Sequence, residues 1–204
     1  MTTHATVLIV PGLREHVPEH WQTLLAARLP RVHTVPPLEE DKLSCAARVQ
    51  ALDHALRAID GPVVLVAHSA GVLMVAHWAQ TLESRPHHPM ARPSIVGALL
   101  ATPADVENDF PPGYPTRDTL REQGWLPIPR RALPFPSLLA ASRNDPLCAF
   151  ERAQALAHHW GSELVDLGDV GHLNPAAGFG NWPRALELIA RLDEQAGSQA
   201  SANL

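Results

Sequence analysis

Three residues have the types and the order needed to build an activated nucleophile: Ser69, Asp145 and His172. A serine hydroxyl is a weak nucleophile until a base takes its proton, and that base works best when an acid orients it. Ser69 sits in Ala67-His68-Ser69-Ala70-Gly71, directly after the apolar run 62–66 and ahead of a stretch with helical spacing. A sharp strand-to-helix turn at that point would lift the hydroxyl clear of a sheet edge. Such a turn needs small neighbours, and Ala67, Ala70 and Gly71 supply them. Asp145 follows a later apolar run in Ser142-Arg143-Asn144-Asp145-Pro146, and His172 follows the next in Gly168-Asp169-Val170-Gly171-His172. Each also has a plain reading. Ser69 could cap the following helix, Asp145 before Pro146 suits a turn, and His172 is one of 12 histidines. Asp105, Asp166 and Asp169 also fall near strand ends and compete for the acid role. The joint placement, each residue after its own strand, favours chemistry.

An acyl-transfer site also needs two backbone N–H groups for the developing oxyanion. Ala70, next after the nucleophile, is one candidate donor. Leu13, in Val10-Pro11-Gly12-Leu13 after the first strand, is the other, with Gly12 letting the backbone turn inwards.

The elements that must position these groups alternate along the chain. Strand-like runs fall at 6–10, 32–35, 62–66, 95–101, 137–141 and 163–167. Helical spacing falls at 19–29, 45–59, 71–82, 149–160 and 182–194. Pro18 and Pro183 suit first helical turns. This alternation predicts one α/β domain over 1–194, with a mostly parallel six-stranded sheet and helices on both faces; the strand order expected for it is 2-1-3-4-5-6. With five residues ahead of the first strand, no N-terminal hairpin is expected. Residues 195–204 read as a flexible tail.

Residues 102–136 break the rhythm, holding 8 of the 20 prolines and no sustained helical period. That density excludes a long helix, and a long irregular segment in a compact domain is commonly functional. Its aromatic residues Phe110, Tyr114 and Trp125 are expected to line the pocket beside Ser69.

Composition bounds the rest. A hydrophobic fraction of 46%, a charged fraction of 18% and a net charge of −5 are those of an ordinary globular domain. No basic run exceeds Arg130-Arg131, which argues against nucleic acid. No stretch is long enough to cross a bilayer, and the N-terminus lacks a secretory leader, so a cytoplasmic setting is expected. Cys45 and Cys148 lack metal-ligand or disulfide spacing and read as small buried hydrophobes. His16-Val17-Pro18-Glu19-His20 spells a zinc pattern, but Pro18 would leave His16 outside any helix that carries His20. No metal or cofactor is expected. The pairs His87-His88 and His158-His159 read as solvated.

Taken together, the motifs resemble the α/β-hydrolase superfamily, and within it the small serine hydrolases related to retinoblastoma-binding protein 9 and YdeN. The likeness spans about residues 7–192. It rests on Val10-Pro11-Gly12, His20-Trp21, His68-Ser69-Ala70-Gly71, Asn144-Asp145-Pro146, Gly171-His172-Leu173-Asn174 and Gly178-Phe179-Gly180-Asn181-Trp182-Pro183. Ala67 stands where the superfamily pattern has glycine. The resemblance implies a Ser69-His172-Asp145 triad that hydrolyses an ester, thioester or amide of a small molecule. The alternative is a catalytically silent binding module on the same fold. Pocket-protein binding through Leu-x-Cys-x-Glu is not expected, because Leu43-Ser44-Cys45-Ala46-Ala47 lacks the final acid.

Overall fold

The structure, a computed structural model, describes residues 4–83 and 94–202. His87-His88 lie outside them. Six strands form a single sheet: β1 (Thr6–Val10), β2 (Val32–Thr34), β3 (Val63–Ser69), β4 (Ile95–Pro103), β5 (Ser137–Ala141) and β6 (Glu163–Asp166). Their order is β2-β1-β3-β4-β5-β6, with every neighbouring pair parallel. Both the class and the order match the sequence expectation.

Parallel strands covered on both faces bury alternate side chains on opposite sides. In β3, Val63, Leu65 and Ala67 join the core on one face, while Val64 and Val66 join the core on the other. The first face is covered by α2 (Cys45–Arg57), α3 (Ala70–Glu83) and α5 (Phe150–Trp160), through residues such as Leu52, Leu73 and Leu156. The second is covered by α1 (Trp21–Ala26) and α6 (Arg184–Ala202), through Trp21, Leu25, Leu188 and Ile189. At six residues α1 is too short to persist alone; burial of Trp21 and Leu25, at about 2 kcal/mol each, holds it in place. Gly97 lets α6 lie close on β4, since a Cβ there would stand 2.8 Å from Leu192.

Two helix starts differ from the sequence reading. α1 begins at Trp21 with His20 as its cap, so Pro18 lies outside the first turn. The local bonds are the physical reason: His20 N–H donates to Val17 O at 3.0 Å, closing a turn over Pro18 and Glu19, and His20 Nδ1 accepts the Gln22 N–H at 3.2 Å, so the helix starts two residues later than the expected residue 19. α6 begins at Arg184, immediately after Pro183, and continues to Ala202 through part of the stretch read as tail. His158 and His159 are exposed in the last turn of α5.

β4 runs on to Pro103, two residues into the segment expected to be irregular, because Pro103 pairs with Ser69 of β3; residues 104–136 are irregular apart from a short helix, α4 (Arg117–Glu122), capped by Thr116. The segment is fixed to the domain at several points. Trp125 Nε1 donates to Leu43 O at 2.7 Å, Trp160 Nε1 donates to Pro129 O at 2.7 Å, and Glu107 accepts from Ile128 N–H, Arg130 and Arg152. No helix among the described residues is long and apolar enough to cross a membrane.

Candidate active site

β3 passes into α3 with no intervening loop, and Ser69 is the residue at the joint. Its φ is +58°, a left-handed conformation that costs a non-glycine residue about 1–2 kcal/mol. That strain aims Oγ away from the sheet. Small residues make the joint possible. A Cβ on Gly71 would lie 2.2 Å from Val10 O, and one on Gly12 would lie 3.1 Å from Ser69 Cβ. Ala67 is fully buried between Val10 and Leu100 in the sheet, two residues before Ser69, and a methyl group fits there.

Ser69 Oγ lies 2.9 Å from His172 Nε2. His172 Nδ1 lies 3.0 and 2.9 Å from the two carboxylate oxygens of Asp145. A carboxylate can only accept, so Nδ1 carries the proton and Nε2 presents its lone pair to the serine hydroxyl. The Asp145 side chain is 2% exposed, and Leu147 N–H donates to it at 2.8 Å. The competing acids are engaged or remote. Asp105 is buried in a two-bond pair with Arg152, Asp166 pairs with Arg143 at the surface, and Asp169 is exposed.

The loops that carry acid and base are tied to one another. Asn144 Oδ1 accepts from Gly171 N–H at 2.6 Å and from Ser142 Oγ at 2.9 Å, and Ser142 Oγ accepts from Val170 N–H at 3.2 Å. His68 Nε2 donates to the His172 carbonyl at 2.9 Å, and Thr102 Oγ1 donates to the same carbonyl at 3.5 Å. Behind them, aromatic rings stack in sequence. Trp182 meets Trp21 edge-on at 4.8 Å, Trp21 meets His68 at 6.0 Å, and His68 lies 4.9 Å from His172. Trp182 of the segment 178–183 is thus connected to His172 through two intervening rings. Burial holds His68 well below the ordinary imidazole range, with the nearby His172 and His20 adding to the effect. Burial and then His172 lower His20 to about 4. Both rings are neutral near pH 7.

Ala70 opens α3, so its N–H is among those a helix start leaves without a backbone partner, and the helix dipole favours negative charge there. Leu13 lies on the facing loop, which runs against Ser69 at Gly12. That loop is held from behind: buried Arg48 donates to Leu13 O at 3.2 Å and to Lys42 O at 2.6 Å, and stands 3.5 Å from Glu15. Gln22 Nε2 donates to Val10 O and Val66 O, locking the ends of β1 and β3 together.

A cavity of ≈ 340 Å³ opens beside Ser69, Ala70 and His172, and Phe110, Tyr114 and Trp125 all line it. Trp125 is fully buried, while Phe110 and Tyr114 are half-buried and meet edge-to-face at 5.8 Å. Burial pushes the Cys45 thiol up to about 12 and the Cys148 thiol higher, so neither supplies a thiolate. His16 is exposed in the loop before α1, whereas His20 caps the helix and faces the cavity.

The sequence reading brought Ser69, Asp145, His172, Ala70 and Leu13 to one place and missed Arg48, Gln22 and the support given by His68. His20-Trp21 was visible as a marker, yet nothing in its spacing tells that both rings pack toward the base. Arg48 did carry a signal, since it stands three residues after Cys45 and four before Leu52 on the stripe that α2 buries, where a charged residue must find a partner.

The family described as "Serine hydrolase" matches residues 7–191. A YdeN-like hydrolase from Pectobacterium atrosepticum is 33% identical, covering 94% of this chain and 92% of its own, with a TM-score of 0.76. Two more distant structures share the fold. One is the ydeN gene product of B. subtilis (15% identity, 92% and 98% covered, TM-score 0.64). The other is the RedJ thioesterase from the prodiginine biosynthetic pathway in Streptomyces coelicolor (16%, 93% and 89%, 0.58). No curated protein matches the chain.

Proposed function

The chain belongs to the serine hydrolase family, and from that premise we propose that it hydrolyses a carboxylic ester, thioester or amide of a small molecule through an acyl-enzyme on Ser69. The observation that carries this reading is the pair of hydrogen-bond contacts linking Ser69 Oγ to His172 and His172 to Asp145.

In the proposed reaction, His172 Nε2 takes the hydroxyl proton as Oγ attacks the substrate carbonyl carbon. The carbonyl electrons move onto oxygen, where the N–H groups of Ala70 and Leu13 stabilise the charge. The tetrahedral adduct collapses and expels the alkoxide, thiolate or amine, which takes the proton from His172. Water then repeats the attack on the acyl-enzyme with His172 again as base, releasing the acid and restoring Ser69. Asp145 keeps the imidazole in the tautomer that presents Nε2 and balances the imidazolium that forms. Phe110, Tyr114 and Trp125 form the wall for the acyl or leaving group. The partner is a small molecule, and the setting is cytoplasmic.

Fluorophosphonate labelling combined with turnover of a 4-nitrophenyl ester series tests the proposal. Wild-type protein labels at Ser69 and turns over. Ser69→Ala loses labelling, and either Ser69→Ala or His172→Ala lowers kcat by on the order of 10⁶. Asp145→Ala costs less, about 10⁴. A wild-type protein that neither labels nor turns over would point to a silent binding module. Ser69→Ala with wild-type turnover would also refute the assignment.

A further inference from the structure

The lining of the cavity beside Ser69 contains two fully charged side chains, Arg14 and Glu15. Glu15 is compensated: the Arg48 guanidinium lies at 3.5 Å, Lys42 Nζ at 3.7 Å, and the Leu38 N–H donates to it at 2.8 Å. Arg14 has no ion pair among the described residues. Its guanidinium instead lies 5.5 Å from the centroid of the Tyr114 ring. Tyr114 is in turn braced edge-on by Phe110. Since His20 and His68 are neutral near pH 7, the uncompensated charge on the cavity wall is positive.

We propose that the substrate carries a carboxylate a few bonds from its scissile carbonyl, and that Arg14 selects it. This rests on the serine-hydrolase reading of Ser69. Three features of the geometry support it. Arg14 directly follows Leu13, the proposed oxyanion donor, so its backbone stands one residue, about 3.8 Å, from that point. The contact of Arg14 with the Tyr114 ring is a cation–π contact, which occupies no carboxylate-matching N–H pair in an ion bond. The same contact restrains a long side chain before binding, which lowers the ordering cost. The neighbouring wall of Val106, Leu120 and Trp125 is apolar and suits the hydrocarbon part of such a substrate. Arg14 itself is exposed, so water screens part of the attraction and the selectivity is modest, about fivefold at most.

The test compares matched substrates by kcat/KM. One pair places the carboxylate on the acyl side, mono-4-nitrophenyl glutarate against 4-nitrophenyl butyrate. The other places it on the leaving group, 4-butyryloxybenzoate against its methyl ester. In at least one pair the anionic-to-neutral ratio falls about threefold to fivefold in Arg14→Gln, takes an intermediate value in Arg14→Lys, and falls further in Arg14→Glu. The wild-type ratio also narrows in ~0.5 M NaCl, as an exposed ion pair requires. Ratios in Arg14→Gln equal to wild type for both pairs would overturn the inference. Fluorophosphonate labelling separates the two levels of failure. Labelling of Ser69 with unchanged ratios sinks the anion selectivity alone, and absence of labelling and turnover sinks the hydrolase reading together with it.

Discussion

Replacing Gly71 by Ala tests whether the nucleophile joint and the oxyanion loop are one mechanical unit. The added methyl carbon would stand 2.2 Å from Val10 O, 2.8 Å from Pro11 O and 3.0 Å from the Val10 carbonyl carbon. A carbon beside a carbonyl oxygen rests at about 3.3 Å, so the overlap with Val10 O is about 1.1 Å. The obstructing atoms are backbone, at the end of β1 and the start of the loop through Gly12 and Leu13, and cannot rotate away. Overpacking of this kind costs about 3 kcal/mol. Ala is the better helix former by about 1 kcal/mol, which leaves a net loss of about 2 kcal/mol. For a domain of this size that lowers Tm by about 4–8 °C. Relief by a shift of the loop would also move the Leu13 N–H by about 1 Å, and a misplacement of that size costs on the order of 10² in rate. Calorimetry reads the first effect. The kcat for a 4-nitrophenyl ester, taken well below the lowered Tm, reads the second. A Gly71→Ala protein with wild-type Tm would refute the packing argument. Lowered Tm with kcat within twofold of wild type would show that the loop is positioned independently of the joint.

Arg48→Met removes the donors that hold Leu13 O and Lys42 O and strips Glu15 of its buried partner, so a loss of about 3 kcal/mol is expected, read as a shifted urea midpoint. The same change should lower kcat more than it changes KM, because the loop it frees carries Leu13, the proposed oxyanion donor. Acid should destabilise the fold through its buried imidazoles. His20 titrates near 4 when folded and near 6.5 when unfolded, so the unfolded chain takes the proton first. Its contribution is full above pH 6.5 and falls by about 1.4 kcal/mol per pH unit down to about pH 4; His68 acts in the same direction. Urea midpoints at pH 7.5 and 5 check this, and His20→Asn, which still caps α1, should shrink the difference. Trp125→Ala removes a fully buried ring and its bond to Leu43 O, at about 3–5 kcal/mol. It should also raise kcat/KM for long-chain relative to short-chain esters, and a constant ratio would assign Trp125 to structure alone.

The strand and helix periods of the chain were enough to determine the class and the places where Ser69, Asp145 and His172 leave the sheet, whereas the order of the strands is a matter of pairing that no period encodes. These are properties of local patterning: a parallel sheet converges its strand ends on one edge, so residues after β3, β5 and β6 must meet there whatever fills the core. Pro-rich composition likewise made 102–136 legible as irregular chain, although the six-residue α4 within it was too short to show a period. What sets the site in working order was decided only in three dimensions. Asp145 prevails over Asp105 because Arg152, 47 residues from Asp105 in the chain, already holds the latter. The tautomer of His172 depends on Asp145 at one ring nitrogen and Ser69 at the other, and its carbonyl is held by His68, 104 residues away. Arg48 reaches the loop of Leu13 from the buried stripe of α2, and the stripe shows that it must be satisfied without showing by what. Such partnerships join residues far apart in sequence through single contacts, and a contact of that kind leaves no period in the chain that makes it.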